Sequence, residues 1–196
     1  HESGIERYVA GEHMDTDNLR IRRWGEIGDD YLGPAFHMRF KPGQVLYGSR
    51  RTYLRKVALA DFEGITANTT YVLDSKDPEI LLPELLPFIM QAETFHEHSK
   101  RESKGSVNPY VNFSDLAWYE FALPPLEEQR RIAEVLQAIE DAICHHHELA
   151  ESAFELWRSF SKNEFDVRVG KGPKLDEHYE ITSGQVDPKD PEYARL

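Results

Sequence analysis

The 196-residue chain has one cysteine, Cys144, so no internal disulfide can close. That scarcity fits a reducing compartment, and a cytoplasmic location is the expectation. No apolar run approaches the roughly 20 residues that a membrane-spanning helix requires, so no membrane partner is expected. The sequence opens at His1 without an initiator Met or a basic-then-apolar signal segment, and is therefore expected to begin inside a longer protein. With 40% hydrophobic residues it still has ample material for a core.

Catalytic constellations are also missing. Asn108-Pro109-Tyr110 falls one proline short of the tetrapeptide with which amino-methyltransferases hold an extruded base, and no Gly-rich cofactor loop follows a strand. Asp187-Pro188-Lys189-Asp190 lacks the spaced acid, acid and lysine set that a metal-dependent nuclease uses to polarise a phosphate. His145, His146 and His147 are consecutive, so on a helix they point in three directions and cannot form an i, i+4 metal pair. Ser49 and Ser106 have no His and acid at recognisable spacing, although spacing alone does not exclude a triad. The expectation is a chain without cofactor, metal site or catalytic residue.

A net charge of −12 argues at first against a nucleic-acid partner, because affinity for duplex DNA depends on neutralising phosphates. The mean hides an asymmetry. Between Arg20 and Lys56 nine Lys/Arg stand against three acids, a local +6 that leaves −18 on the remainder. Such a stretch is either a solvated basic face or a phosphate-binding one. Its basic residues are interleaved with Gly43, Tyr47, Gly48 and Tyr53.

Along the chain, Gly43 to Ala60 predicts a hairpin: a short apolar strand at Val45, Leu46 and Tyr47, a basic polar turn at Gly48 to Arg51, and an alternating strand with Leu54, Val57 and Leu59 inward. Thr66 to Leu73 is β-rich and Asp74 to Pro78 is a turn. Ile80 to His98 reads as a helix proper from about Pro87, and Ser99 to Pro109 as a loop. Phe113 to Leu123 predicts an aromatic strand. Gly170 to Lys174 is a linker, and Glu180 to Pro191 resembles the opening of another unit, with Ser183-Gly184 weakly echoing Ser3-Gly4.

The run LPPLEEQRRI, Leu123 to Ile132, marks the sharpest boundary. Pro124 and Pro125 can lead into a first turn but cannot lie inside a helix, and Glu127 and Glu128 face the positive end of its dipole. Beyond them Ile132, Leu136, Ile139, Ile143, His146, Ala150, Ala153, Trp157 and Phe160 alternate steps of four and three. That is a heptad stripe, pointing to a partner helix. An amphipathic helix lying on its own domain is the competing reading, and would show a wider stripe and a shorter run. The predicted organisation is α+β: a small mixed-sheet domain over 1–123, one long coiled-coil-type helix over 124–163, and from 164 to 196 a linker and the start of a second domain.

These residues resemble the specificity subunit of type I restriction-modification systems. The likeness is carried by FALPPLEEQRRIAEVL (Phe121 to Leu136), RYVAGEHMD (Arg7 to Asp15), RFKPGQVLYGSRRTYLRKVALADFEG (Arg39 to Gly64) and SKGSVNPYVNFSDLAWYEF (Ser103 to Phe121), in the order the family uses. The resemblance implies a target-recognition domain that reads one half of a split double-stranded DNA sequence. It also implies a helix acting as a ruler between the halves, with modification and restriction subunits docked on the protein. Such subunits hold two recognition domains and two antiparallel helices, whereas this sequence shows one of each. A fragment, or a half-subunit pairing with a second copy of itself, is implied.

In that frame Arg50, Arg51, Tyr53 and Lys56 of the hairpin, with Lys100, Arg101, Lys104, Ser106 and Asn108 of the later loop, are the candidate DNA-binding residues: Arg for guanine, Asn for adenine, Lys for phosphate. Two alternatives stay open. One is the recognition part of a fused adenine methyltransferase or restriction enzyme; the other is a structural coiled-coil adaptor that never touches DNA.

Overall fold

The computed structural model of the protein describes residues 4–28 and 32–165, in two compact units divided between Glu140 and Asp141. The linker and the second-domain opening expected beyond Phe165, and the Ser3 and Ser183 ends of the weak repeat, lie outside the described residues.

The first unit is built on two sheets. One has the order β2-β1-β6-β3, from β1 (Arg7–Val9), β2 (Gly25–Glu26), β3 (Phe36–Phe40) and β6 (Gly64–Ala67), with β1 parallel to β6 and the other pairs antiparallel. The other is antiparallel, in the order β5-β4-β7, from β4 (Val45–Gly48), β5 (Val57–Leu59) and β7 (Thr70–Leu73). Three helices follow, α1 (Leu86–Gln91), α2 (Glu93–Arg101) and α3 (Phe113–Leu116), before α4 (Leu126–Phe165). This is the expected α+β class.

The predicted hairpin is β4 with β5, in the register Val45 to Leu59 and Tyr47 to Val57. Its apolar run is continuous because β4 is buried on both faces. Val45 and Tyr47, with Val57, enter a core closed by Met90, Phe95, Val111 and Leu116. Leu46 and Ala58 point the other way, into a core with Val9, Met14, Ile21 and Phe40. Period-two alternation thus splits one strand between two cores. At Gly64 the sheets leave no room for a side chain, since a Cβ would lie 2.5 Å from the Phe40 ring.

Three readings are corrected. Leu54 ends a short 3-10 turn, Thr52–Leu54, and is not part of the second hairpin strand. The helix begun at Leu86 breaks at Ala92, whose extended ψ of 142° restarts it so that Phe95, His96, His98 and Ser99 turn inward. The aromatic strand over Phe113 to Leu123 is absent, and α3 starts it instead. There Asn112 Nδ2 donates to Asp115 Oδ2 at 3.0 Å, and Asn112 O accepts from the N–H groups of Asp115 and Leu116. These bonds close a helical turn where aromatic β-propensity pointed to a strand.

Tyr47 shares a hydrogen bond of 2.5 Å with Ser99, tying β4 to α2. Burial pushes its phenol up from 10.0 to about 12. Unfolded tyrosine ionises first, so the stability this group contributes is complete below pH 10 and is lost as pH rises toward 12. An ultraviolet titration of the folded protein is expected to show one tyrosine still protonated when the unfolded-type phenols have ionised, and Tyr47→Phe should remove that late step. A Tyr47→Phe variant with an unchanged titration curve would contradict the assignment.

No helix among the described residues is long and apolar enough to cross a membrane.

Candidate nucleic-acid interface

The two predicted basic segments lie far apart in sequence and are stitched together. The connection from β4 to β5 meets the loop after α2 through backbone bonds: Arg51 N–H donates to Pro109 O at 2.6 Å, and Val111 N–H to Ser49 O at 3.0 Å. The later loop is closed on itself by reciprocal bonds between Lys104 and Tyr110, of 2.7 and 2.9 Å. Gly105 makes the closure possible at φ +90°, a conformation open to Gly without Cβ strain. Ser49 anchors the other side, its hydroxyl donating to Thr69 O at 2.8 Å. Arg51 is held left-handed at φ 51°, which for a residue with a Cβ costs about 1–2 kcal/mol and persists because these bonds over-determine it.

The basic side chains then separate into two groups. Lys56 donates its ammonium to Gly11 O. Arg101 bonds to Glu102 at 3.1 Å and to His98 Nδ1 at 2.9 Å. Lys104 pairs with Asp115 at 2.7 Å, which holds the amine above and the carboxyl below their ordinary ranges. All three are engaged within the domain. Arg50 and Arg51, by contrast, are exposed and have no carboxylate within ion-pair distance among the described residues. Arg50 lies over the Tyr110 ring, 4.9 Å from its centroid. Beside them Tyr53 is 53% exposed, and Ser106 and Asn108 are exposed on the pinned loop. Lys100 is exposed near the end of α2. Sequence reasoning missed Tyr110 and Asp115, whose roles come from contacts across long separations.

The long helix has a face of its own toward the domain. Gln129 is buried: its amide nitrogen donates to Ile80 O at 2.9 Å and Pro124 O at 2.8 Å, and its oxygen accepts from Leu82 N–H at 2.8 Å. Ala133, one turn on, is buried too. The predicted stripe starts one residue earlier, at Ile132, about 100° around the helix from Ala133. Ile132 and Leu136 are half-buried; Ile139 is 51% exposed. In the second unit Ile143, His146, Ala150, Ala153, Trp157 and Phe160 are all exposed, and Phe154 stacks on Trp157 at 5.6 Å. Val135, Ala142, Leu149 and Leu156 add a row spaced by seven, also exposed.

Comparison with known proteins agrees with this architecture. Residues 15–151 match the family described as type I restriction modification DNA specificity domain. The EcoDI specificity subunit of a type I restriction enzyme from Escherichia coli is 30% identical over 126 residues, covering 64% of this chain and 27% of that protein. A chain from a study of complex assembly and conformational transition of the type I R-M system superposes with a TM-score of 0.63 at 22% identity, covering 91% of this chain and 45% of that one. The HsdS subunit from Thermoanaerobacter tengcongensis gives 0.61 at 21% identity, covering 93% and 45%. The present chain thus spans about a quarter of the curated relative and under half of these structures.

Proposed function

The chain belongs to the family of type I restriction-modification DNA specificity domains, and from that premise we propose that it reads one half of a split double-stranded DNA target. The modification and restriction subunits would dock on it and carry the methylation and cleavage chemistry. The observation that carries the reading is the stitched pair of loops, which sets the uncommitted Arg50 and Arg51 beside the exposed Ser106 and Asn108. Groups that already hold internal partners, such as Lys56, Arg101 and Lys104, serve the shape of that surface first. Arg50 and Arg51 keep donors for phosphates and base edges.

The exposed stripe of the helix is proposed as the seat of a second helix, from the other recognition half or a second copy. Its additional row at Val135, Ala142, Leu149 and Leu156 makes the apolar face wider than a two-helix seam, so more than one partner helix is favoured, the other coming from a docked subunit. A cytoplasmic site of action follows from the same reading.

The test is a salt titration of binding to random duplex. Arg50→Ala combined with Arg51→Ala is expected to flatten the dependence by about one unit of slope per lost phosphate contact and to weaken binding to all sequences. An unchanged slope would show that neither arginine contacts a phosphate.

A further inference from the structure

The geometry points to Arg50 as a guanine-reading side chain and to Tyr110 as the residue that positions it, a deepening that rests on the DNA-reading function proposed above. The two belong to loops sixty residues apart, yet they face each other across an isolated antiparallel bridge, and the guanidinium of Arg50 lies 4.9 Å from the centre of the Tyr110 ring. An exposed arginine ordinarily samples many rotamers, and fixing it on binding costs side-chain entropy. Stacking on an aromatic face removes part of that freedom beforehand.

A guanidinium over a ring can offer it one π face and still keep its N–H donors, a planar fork at its edge, for another partner. That edge matches the O6 and N7 acceptors of guanine in the major groove. Arg55 is committed to Asp17 at 2.6 Å and to Glu93, and Arg101 to Glu102 and His98, while the uncommitted Arg51 has no ring beneath it, among the described residues, as Arg50 has. Tyr110 is held in turn by both backbone bonds to Lys104 and by Val111 N–H on Ser49 O. The main chain that carries the ring is therefore fixed by the backbone of both loops.

The experiment uses the full-length protein and a pool of duplexes with a randomised core. Bound sequences are selected and sequenced, and each guanine of the selected site is then replaced singly by 7-deazaguanine, which keeps the Watson–Crick edge and O6 but lacks N7. At one guanine the replacement is expected to lower wild-type affinity about tenfold. Arg50→Ala should bind the two duplexes alike. Tyr110→Phe should keep the discrimination, because the π face remains, and Tyr110→Leu should lose most of it with the salt slope unchanged. A selected site in which no guanine is sensitive to N7, or an Arg50→Ala protein with wild-type sensitivity, overturns the assignment of Arg50. Full discrimination in Tyr110→Leu overturns the positioning role. A wild-type protein that enriches no sequence overturns the DNA-reading function itself, which separates that failure from the others.

Discussion

Placing Asp at both Ile139 and Ile143 is expected, on the reading proposed above, to abolish assembly with the second helix while the first compact unit stays folded. Each isoleucine is about half exposed in the isolated chain, at 51% and 48%. Covering the exposed half of each by a partner helix stabilises by roughly 0.8–1.5 kcal/mol per residue, half of what full burial of the side chain gives. Asp loses that contribution and adds a charge that an apolar seam cannot solvate, so the pair of substitutions reverses the sign of the interaction. Both positions keep about half of their surface exposed in the isolated chain, so its far-ultraviolet dichroism and unfolding midpoint should change little. Light scattering of the assembled species is the direct measurement. Assembly at wild-type affinity would mean that this stripe is an ordinary wet surface.

The second large effect is expected at Gln129. Leucine there matches the volume but satisfies none of three backbone groups, leaving Leu82 N–H, Ile80 O and Pro124 O without the side-chain partner they have now. An unsatisfied buried group costs about 1–3 kcal/mol, so Gln129→Leu should destabilise by roughly 3 kcal/mol or more. Glutamate is expected to be at least as harmful, because a carboxylate has no N–H to give to two carbonyl oxygens. Urea unfolding measures the change. A loss under roughly 0.5 kcal/mol, the size of an ordinary surface substitution, would show that water replaces the side chain at no cost.

Much of this was readable from residue order. The hairpin and the long helix declared themselves because each carries a period or a punctuation that only one element satisfies: Val45-Leu46-Tyr47 before Gly48, and Pro124-Pro125 before a long uninterrupted helical stretch. Phe113 to Leu123 misled because its aromatics were weighed as propensity, whereas the chain turns helical from Asn112, whose carbonyl accepts from Asp115 and Leu116 N–H. The break at Ala92 left no signal, since alanine is the best helix former and only packing of α2 places the bend there. In the candidate interface the residue types were legible but their commitments were not. Lys104 reads in sequence like Arg50, and only the fold brings Asp115 to one and a tyrosine ring to the other. Gln129 is the same lesson in the helix: one polar letter in a charged first turn, distinguished only by what surrounds it.

The strand β4, packed into one core through Val45 and Tyr47 and into another through Leu46, ends directly in the loop that carries Arg50 and Arg51. A mutation inside the strand disturbs two interiors at once and is expected to be purged. Two and three residues beyond its end, at Arg50 and Arg51, side chains touch solvent and other loop residues, so substitutions there leave both interiors intact. Variation is thereby expected to be channelled toward the tips, where, on the DNA-reading function proposed above, a changed side chain would alter the target without first requiring stability to spare.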